Sequence, residues 1–363
     1  MIRTRARRQP AGSLLISIVV VVLAGCGSAA TGEPATVGPS PTTAIALPAT
    51  GTPLPASAAP SLSPSPQAAT YPLSLIDDEG TAVTIPTRPM RIVSLTPATT
   101  EILFAVGAGS RVKGVTDADD YPPAVKQITQ VVKLGAVDVE KIVGLDGVGA
   151  DLVIAGGNGF NSPDSIAKLR SLGIPVIVVY AADVAGVFHD VELVAEATGQ
   201  AAAGTALVSS LQGQEDAIAA AVAAAGARPP RVFYELDATK QIYTFADGIV
   251  QDDLIRMAGG DPITTGSPTV FSIPLEKLIL ADPQLILLGD AAYGTTPAQV
   301  AARPGWSVMT AVKSGTIRAV DDTLVSRPGP RIVEALRALA RAIDPTLQLP
   351  AAPAASPGPS PAQ

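Results

Sequence analysis

Between residues 71 and 182, short unbroken apolar runs alternate with longer stretches of helical pattern. Ile92-Val-Ser-Leu95, Val112 to Val115, Leu152-Val-Ile-Ala155 and Val176-Ile-Val-Val179 read as strands. Helices are expected from Thr99 to Val106, punctuated by Gly107 and Gly109, and from Ser165 to Leu172. Strands that are apolar from end to end are covered on both faces, which means a parallel sheet between helices. From Asp183 to Ala227 the strand signal stops. One helix is expected from Val184 to Ala197, ending near Gly199, and an alanine-rich, proline-free one from Ala201 to Ala225. At 1.5 Å per residue the second would span about 37 Å. The strand-helix pattern resumes at Arg231 and closes with a helix from Ile332 to Ile343, stopped by Asp344-Pro345.

Two stretches of this pattern nearly repeat each other. VDVEKIVGLDGVGADLVIAGG from Val137 and IPLEKLILADPQLILLGD from Ile273 stand 136 residues apart. Each reads as a short helix with an apolar-Glu-Lys-apolar start, a turn, and a buried strand running into glycine. Upstream, Pro89-Met-Arg-Ile-Val-Ser-Leu has a counterpart in Pro230-Arg-Val-Phe-Tyr-Glu-Leu. The helix ending at Val106-Gly-Ala-Gly109 is echoed by the one ending at Met257-Ala-Gly-Gly260. Any α/β fold repeats strand and helix, but the matching Glu-Lys start favours duplication. Two similar lobes leave a cleft between them, where small ligands bind. The expected fold is α/β: two Rossmann-like lobes, each a mostly parallel sheet flanked by helices, joined by a single long helix. The N-terminal lobe covers 71–182, the linking helices 183–227 and the C-terminal lobe 228–348.

The ends of the chain follow other rules. Arg3, Arg5, Arg7 and Arg8 precede an apolar stretch from Leu14 to Ala24. That stretch is short for a bilayer span and sufficient for a secretory signal over residues 1–25. Leu23-Ala24-Gly25-Cys26 matches a bacterial lipobox, so Cys26, the only cysteine, is expected to carry the lipid. A single cysteine excludes a disulfide framework and a thiolate metal cluster. Residues 26–70 are rich in Pro, Ser, Thr and Ala and nearly uncharged, as is the tail 349–363; both are expected to be disordered, the first as a tether. Loss of the four signal arginines takes the net charge from −7 to −11. An acidic mature chain speaks against nucleic acid and against an electrostatic hold on anionic lipid, leaving the acyl chains to anchor it.

Catalytic patterns are missing. His189 is the only histidine and reads as a surface or partly packed helix residue. No GxSxG elbow, Walker loop or HExxH occurs, and Gly147-Val-Gly149 leads into a strand without a third glycine. One histidine cannot build a zinc or manganese site. A Tyr-based ferric or haem site stays open among six tyrosines. Binding without chemistry is favoured, with a lipid-anchored enzyme as the remote alternative.

From Arg91 the chain reads RIVSLTPATTEILFAVGAG, which resembles the opening signature of ABC-transporter substrate-binding proteins whose lobes are joined by one rigid helix: the cobalamin, haem and ferric-siderophore class. Asp119-Asp-Tyr-Pro-Pro123, Tyr234-Glu-Leu-Asp237 and Ser326-Arg-Pro-Gly-Pro-Arg331 look like its cobalamin-binding branch. The similarity runs over nearly all of 71–347. It implies a monomeric receptor, tethered to the outer face of the cytoplasmic membrane, that passes a small ligand to a permease dimer with its ATPase subunits. The ligand implied is a corrinoid, with a ferric siderophore second and haem third, and no resident cofactor or metal. Cleft walls are expected at the carboxyl ends of the strands: 96–99, 118–121, 156–160, 237–243, the segment around Val270-Phe271, and 323–327. Thr96, Tyr121, Phe160, Tyr243, Phe271 and Arg327 are the candidate ligand contacts, the aromatics offering flat apolar faces and the arginine meeting an oxygen. The other reading of each aromatic is a cap on its own lobe's core. Leu134 stands where cobalamin binders of this class often carry tryptophan, and the only tryptophan, Trp306, reads as structural. Glu140 and Glu276, third in the first turn of their repeated helices by this alignment, are implied to dock on arginines of the two permease subunits.

Overall fold

The computed structural model describes residues 69–352, all within one compact unit. The signal segment, Cys26, nearly all of the tether and the tail beyond Ala352 lie outside the described residues. An antiparallel hairpin, β1 (Leu73–Ile76) and β2 (Ala82–Ile85), comes first. The N-terminal lobe follows as β3 (Ile92–Ser94), α1 (Pro97–Ala105), β4 (Val112–Thr116), β5 (Thr129–Lys133), β6 (Ala136–Val137), α2 (Val139–Val143), β7 (Leu152–Gly156), α3 (Pro163–Ser171) and β8 (Val176–Val179). The linking helices are α4 (Val184–Ala197) and α5 (Ala201–Ala225). The C-terminal lobe is β9 (Arg231–Glu235), α6 (Val250–Met257), β10 (Asp261–Ile263), α7 (Leu275–Ala281), β11 (Leu285–Leu288), α8 (Pro297–Ala301), α9 (Thr310–Ser314), β12 (Ile317–Ala319), α10 (Asp322–Val325) and α11 (Ile332–Ile343).

The sheets carry the duplication. The first has the order β6-β5-β4-β3-β7-β8, antiparallel only at β6, and the second β10-β9-β11-β12, parallel throughout. Aligning β3 with β9 makes β4-β3-β7-β8 and β10-β9-β11-β12 the same arrangement. The registers agree: Ile92 pairs with Leu152 as Val232 pairs with Leu285. Arg91 and Arg231 then coincide, and both tie down the turn before the neighbouring strand. Arg91 Nε donates to the Gly149 carbonyl at 2.6 Å, and Arg231 Nε to the Ala281 carbonyl at 2.8 Å. β5 and β6 are additions at the edge of the first sheet. Sequence pattern misses them, and the β1–β2 hairpin, because these edge strands bury only a few scattered positions such as Val131 and Val132.

Helix starts differ from expectation where proline sits at the first position. Thr96 caps α1, its hydroxyl accepting the Thr99 N–H at 3.1 Å, so Pro97 opens the helix two residues early. Pro163 does the same for α3. Proline loses no hydrogen bond there, because the first helical N–H groups have no partner within the helix. Gly199, at φ 69°, ends α4 in a left-handed turn and lets α5 fold back along it. Gly204 is needed for that packing, since a Cβ there would meet the Ala195 Cβ at 2.4 Å.

Alternate residues of each central strand face different cores. Ile92 and Val232 join one continuous cluster through Ile102 of α1, Val191 of α4, Ile218 of α5, Leu254 of α6 and Leu336 of α11. Val93 faces a separate cluster under α2 and α3, and Phe233 another with Leu278, Trp306 and Met309. One core therefore runs through the linking helices into both lobes. Hinging the lobes apart would expose apolar surface at roughly 25 cal/mol per Å².

Candidate functional site

The strand ends and the first turns of α1 and α6 face a cavity of about 670 Å³ between the lobes. Its size falls in the range that encloses most of a small organic ligand, roughly 300–1,000 Å³. On the N-terminal side it is lined by 96–99 and Ile102, Ala118, 156–160, 179–181 and Asp190. On the C-terminal side it is lined by Leu236, Phe245, 249–251, Pro268, Thr269, Phe271 and 326–328. Most of these surfaces are apolar, with a few polar side chains among them.

Four of the six expected contacts come together here: Thr96, Phe160, Phe271 and Arg327. Phe160 and Phe271 are 69% and 45% exposed, so neither caps a core. Phe160 is held out by a glycine-rich turn. Gly159 has φ 77°, and Asn161, buried beneath, receives the Gly156 N–H at 2.7 Å and donates to the Leu95 carbonyl at 3.1 Å.

Two of the six lie outside this cavity. Tyr121 does not line the cavity; its ring lies under the Arg331 guanidinium, 4.3 Å from the centroid. Tyr243 does not line it either, and neither does any of 237–243. Its backbone bridges Asp237 and Ser272, and its hydroxyl donates to Gln241 at 3.1 Å. That loop folds back on itself and pairs with the segment that carries Phe271.

Arg327 lines the cavity but is already engaged. It pairs with Asp120, donates to the Ala118 carbonyl at 3.2 Å and lies 3.6 Å from Glu101. Arg331 grips Glu101 in a bidentate pair at 2.7 and 2.5 Å. Glu101 belongs to α1 and both arginines to the C-terminal lobe, so this network closes one side of the cleft across the lobes. Hydrogen bonding to Arg327 holds the Asp120 carboxyl below the usual range. Burial works against the Arg327 charge, but Asp120 and then Glu101 outweigh it and keep the guanidinium firmly protonated.

Sequence reasoning missed Tyr180, Asp190, Leu236, Phe245 and Gln251. Tyr180 and Ala181 follow the carboxyl end of β8, so the strand-end rule applied to the other strands would have found them. Asp190 sits midway along α4 and Gln251 in the first turn of α6, and nothing in their local sequence marks them. His189 is exposed as expected, with Nε2 3.4 Å from Asp78, and Trp306 is buried edge-on to Phe233 at 6.2 Å. Glu140 and Glu276 are both exposed and both second in their helices, not third, since Asp138 and Pro274 stay outside as caps.

A sequence profile of the periplasmic binding protein family matches residues 92–324. The chain belongs to this family. An uncharacterized ABC transporter substrate-binding lipoprotein of Bacillus subtilis (strain 168) is 31% identical over 278 residues, 76% of this chain and 86% of the relative. A cobalamin-binding protein of Halobacterium salinarum is 31% identical over 285 residues, 76% of this chain and 75% of the relative. Among solved structures, the periplasmic vitamin B12-binding protein of Vibrio cholerae superposes with a TM-score of 0.62 at 25% identity, over 71% of this chain and 98% of that one. The periplasmic haem-binding protein BhuT, in complex with two haems, gives a TM-score of 0.62 at 28% identity, over 70% and 98%. These relatives are binding proteins by name, and the two-lobed α/β fold is theirs as well. Among the described residues no helix is long and apolar enough to cross a membrane.

Proposed function

We propose that this protein is the extracytoplasmic substrate-binding lipoprotein of an ABC importer, that it takes a corrinoid of the cobalamin type in the interlobe cavity, and that it hands this ligand to a permease dimer. One observation carries the reading: an open, largely apolar cavity between two lobes that share a core, with exposed Phe160 and Phe271 contributed by different lobes. Two such rings offer broad faces to a macrocycle and no chemistry. Among the described residues no group of three or more His, Cys, Asp or Glu side chains is placed to hold a metal ion. A ligand that brings its own chelator suits such a wall. The cobalamin-binding and vitamin B12-binding relatives support the corrinoid choice. A ferric siderophore is the alternative. Haem has one observation of its own, since Tyr180 lines the cavity with a phenol of the kind that ligates haem iron.

Anchoring through Cys26 follows from the lipobox, and mass spectrometry of the mature N-terminus tests it: an unmodified cysteine, or cleavage elsewhere, would defeat it. For the ligand, the protein lacking residues 1–25 is titrated calorimetrically with cyanocobalamin, a ferric hydroxamate and haemin. Binding of cyanocobalamin in preference to the other two is the expected result, and binding of the hydroxamate or haemin alone would overturn the choice. Glu140 and Glu276, one exposed acid on each lobe at equivalent helix positions, suit a partner with twofold symmetry. Glu140→Ala with Glu276→Ala should leave ligand affinity and melting temperature unchanged and abolish uptake by the reconstituted importer, because rim charges act mainly on encounter and orientation. Normal transport by the double variant would remove the docking role.

A further inference from the structure

Gln251, the second residue of α6, is a cavity-wall residue whose side-chain amide is only half used by the fold. It is 8% exposed and shares the wall with apolar Leu236, Phe245, Ile249 and Val250. Its Nε2 donates to the Val325 carbonyl at 3.3 Å, which ties α6 to the end of α10. A carbonyl only accepts, so this bond fixes which end of the amide points inward and leaves Oε1 on the other side. Among the described residues Oε1 receives no hydrogen bond, and it is not one of the sealed atoms without a partner, such as Asp190 Oδ1 and Asp252 Oδ1. Oε1 therefore keeps accessible surface, and the cavity is the open space that this residue lines.

The nearest hydroxyl along the chain does not supply the missing donor. Ser326, which follows Val325, gives its proton to Asp322 at 2.7 Å. Asp252 and Asp253 stand beside Gln251 in the first turn and already offset the positive end of the α6 dipole, which would otherwise draw an anion. A ligand that covers Oε1 without a donor leaves a polar atom unmatched in an apolar wall, which is unfavourable. A carboxylate placed there adds repulsion between acceptors. A primary amide offers the N–H that Oε1 lacks and carries no charge.

We propose that Gln251 is a ligand-anchoring residue whose Oε1 accepts a hydrogen bond from a primary amide on the ligand periphery, so that the cavity favours an amide over a carboxylate at that place. This deepens the corrinoid reading above and rests on it. A merely structural Gln251 would hold α10 against α6 through Val325 and would affect every ligand alike.

The test uses the protein lacking residues 1–25, titrated calorimetrically with cyanocobalamin and with its monocarboxylates, each having one peripheral amide hydrolysed to a carboxylate. Wild type should bind one of these at least about tenfold more weakly than cyanocobalamin, the scale of one lost hydrogen bond in a dry site. Gln251→Leu removes the acceptor and should weaken cyanocobalamin by about the same tenfold. The monocarboxylate that wild type already binds weakly should lose nothing further in this variant, because its anchoring amide is gone, while the others should weaken as cyanocobalamin does. An equal loss for every ligand would make Gln251 a structural residue and overturn the proposal. Unchanged binding of cyanocobalamin by the variant would overturn the anchor and leave the corrinoid reading standing. If the variant does not fold, wild type decides alone: monocarboxylates that all bind as tightly as cyanocobalamin would mean that no amide is anchored. If wild type itself binds no cyanocobalamin, the functional reading fails and the anchor fails with it.

Discussion

At the carboxyl end of β3 the N-terminal lobe packs neutral groups, whereas at the equivalent end of β9 the C-terminal lobe packs charged ones. Beneath the first sheet's rim, Ser94 bonds Thr99 at 2.6 Å and Thr100 at 2.8 Å, and Asn161 spans Gly156 and Leu95. Leu95 corresponds to Glu235 in the second sheet. Glu235 is fully buried and held by Arg303 at 2.5 and 2.8 Å, while Tyr234 donates to Asp322 at 2.8 Å. The strand order is the same in both lobes. What differs is the polar chemistry laid over it, so the fold constrains the apolar positions of the duplicated unit far more tightly than it constrains how the strand ends are finished. Neutral closure also leaves the Gly156–Phe160 turn free to face the cavity, while the corresponding turn at Gly289–Tyr293 does not line it.

The largest expected effect comes from breaking the charged closure. Arg303→Met strands Glu235 without a partner and should cost about 3–5 kcal/mol. Burial already raises the Glu235 pKa against the pull of Arg303. Without Arg303 the acid takes a proton in the folded state, so the deficit should be smaller at pH 5 than at pH 8. Urea unfolding at both pH values measures it, and an equal loss at both would show that an unpaired Glu235 is not the cause.

Breaking the neutral closure should cost less and should not respond to pH. Asn161→Ala leaves the Gly156 N–H and the Leu95 carbonyl unmatched and should cost about 1–3 kcal/mol. The same unfolding series checks it, and a loss that varied with pH would erase the contrast between the lobes.

The smallest effect sharpens the contrast at the helices that follow. α1 has a side-chain cap in Thr96, whereas the N-cap of its counterpart α6 is Ile249, which provides none and is followed by Asp252 and Asp253 in the first turn. Thr96→Ala should cost about 1 kcal/mol. Hydrogen exchange should speed up at the first-turn amides of α1 and leave those of α6 unchanged; faster exchange in α6 as well would mean that the two helix starts are coupled.

Local pattern determined a great deal. Runs such as Val176 to Val179 and the alanine-rich stretch from Ala201 to Ala225 form the elements expected of them, residue for residue. Burial on both faces and helix propensity act within a few residues, so the sequence displays them directly. The echo of Glu140 and Glu276, and of Arg91 and Arg231, revealed the duplication for the same reason.

Contacts between distant segments were decided only by the tertiary structure. Asp119 to Pro123, Tyr234 to Asp237 and Ser326 to Arg331 resemble ligand-binding motifs when read singly. Folded, they meet as structural partners: Asp120 with Arg327 across 207 residues, Arg331 with Glu101 across 230, Tyr121 beneath Arg331, and Glu235 with Arg303. Tyr121 and Arg327 are thereby tied into contacts across the lobes, and Arg327 still borders the cavity. Asp190 gave no local sign at all, because its own burial raises its carboxyl pKa first and Asp78, 112 positions earlier, raises it further. A charge takes its role from the dielectric and the partners around it, and both arise only when the chain has closed on itself.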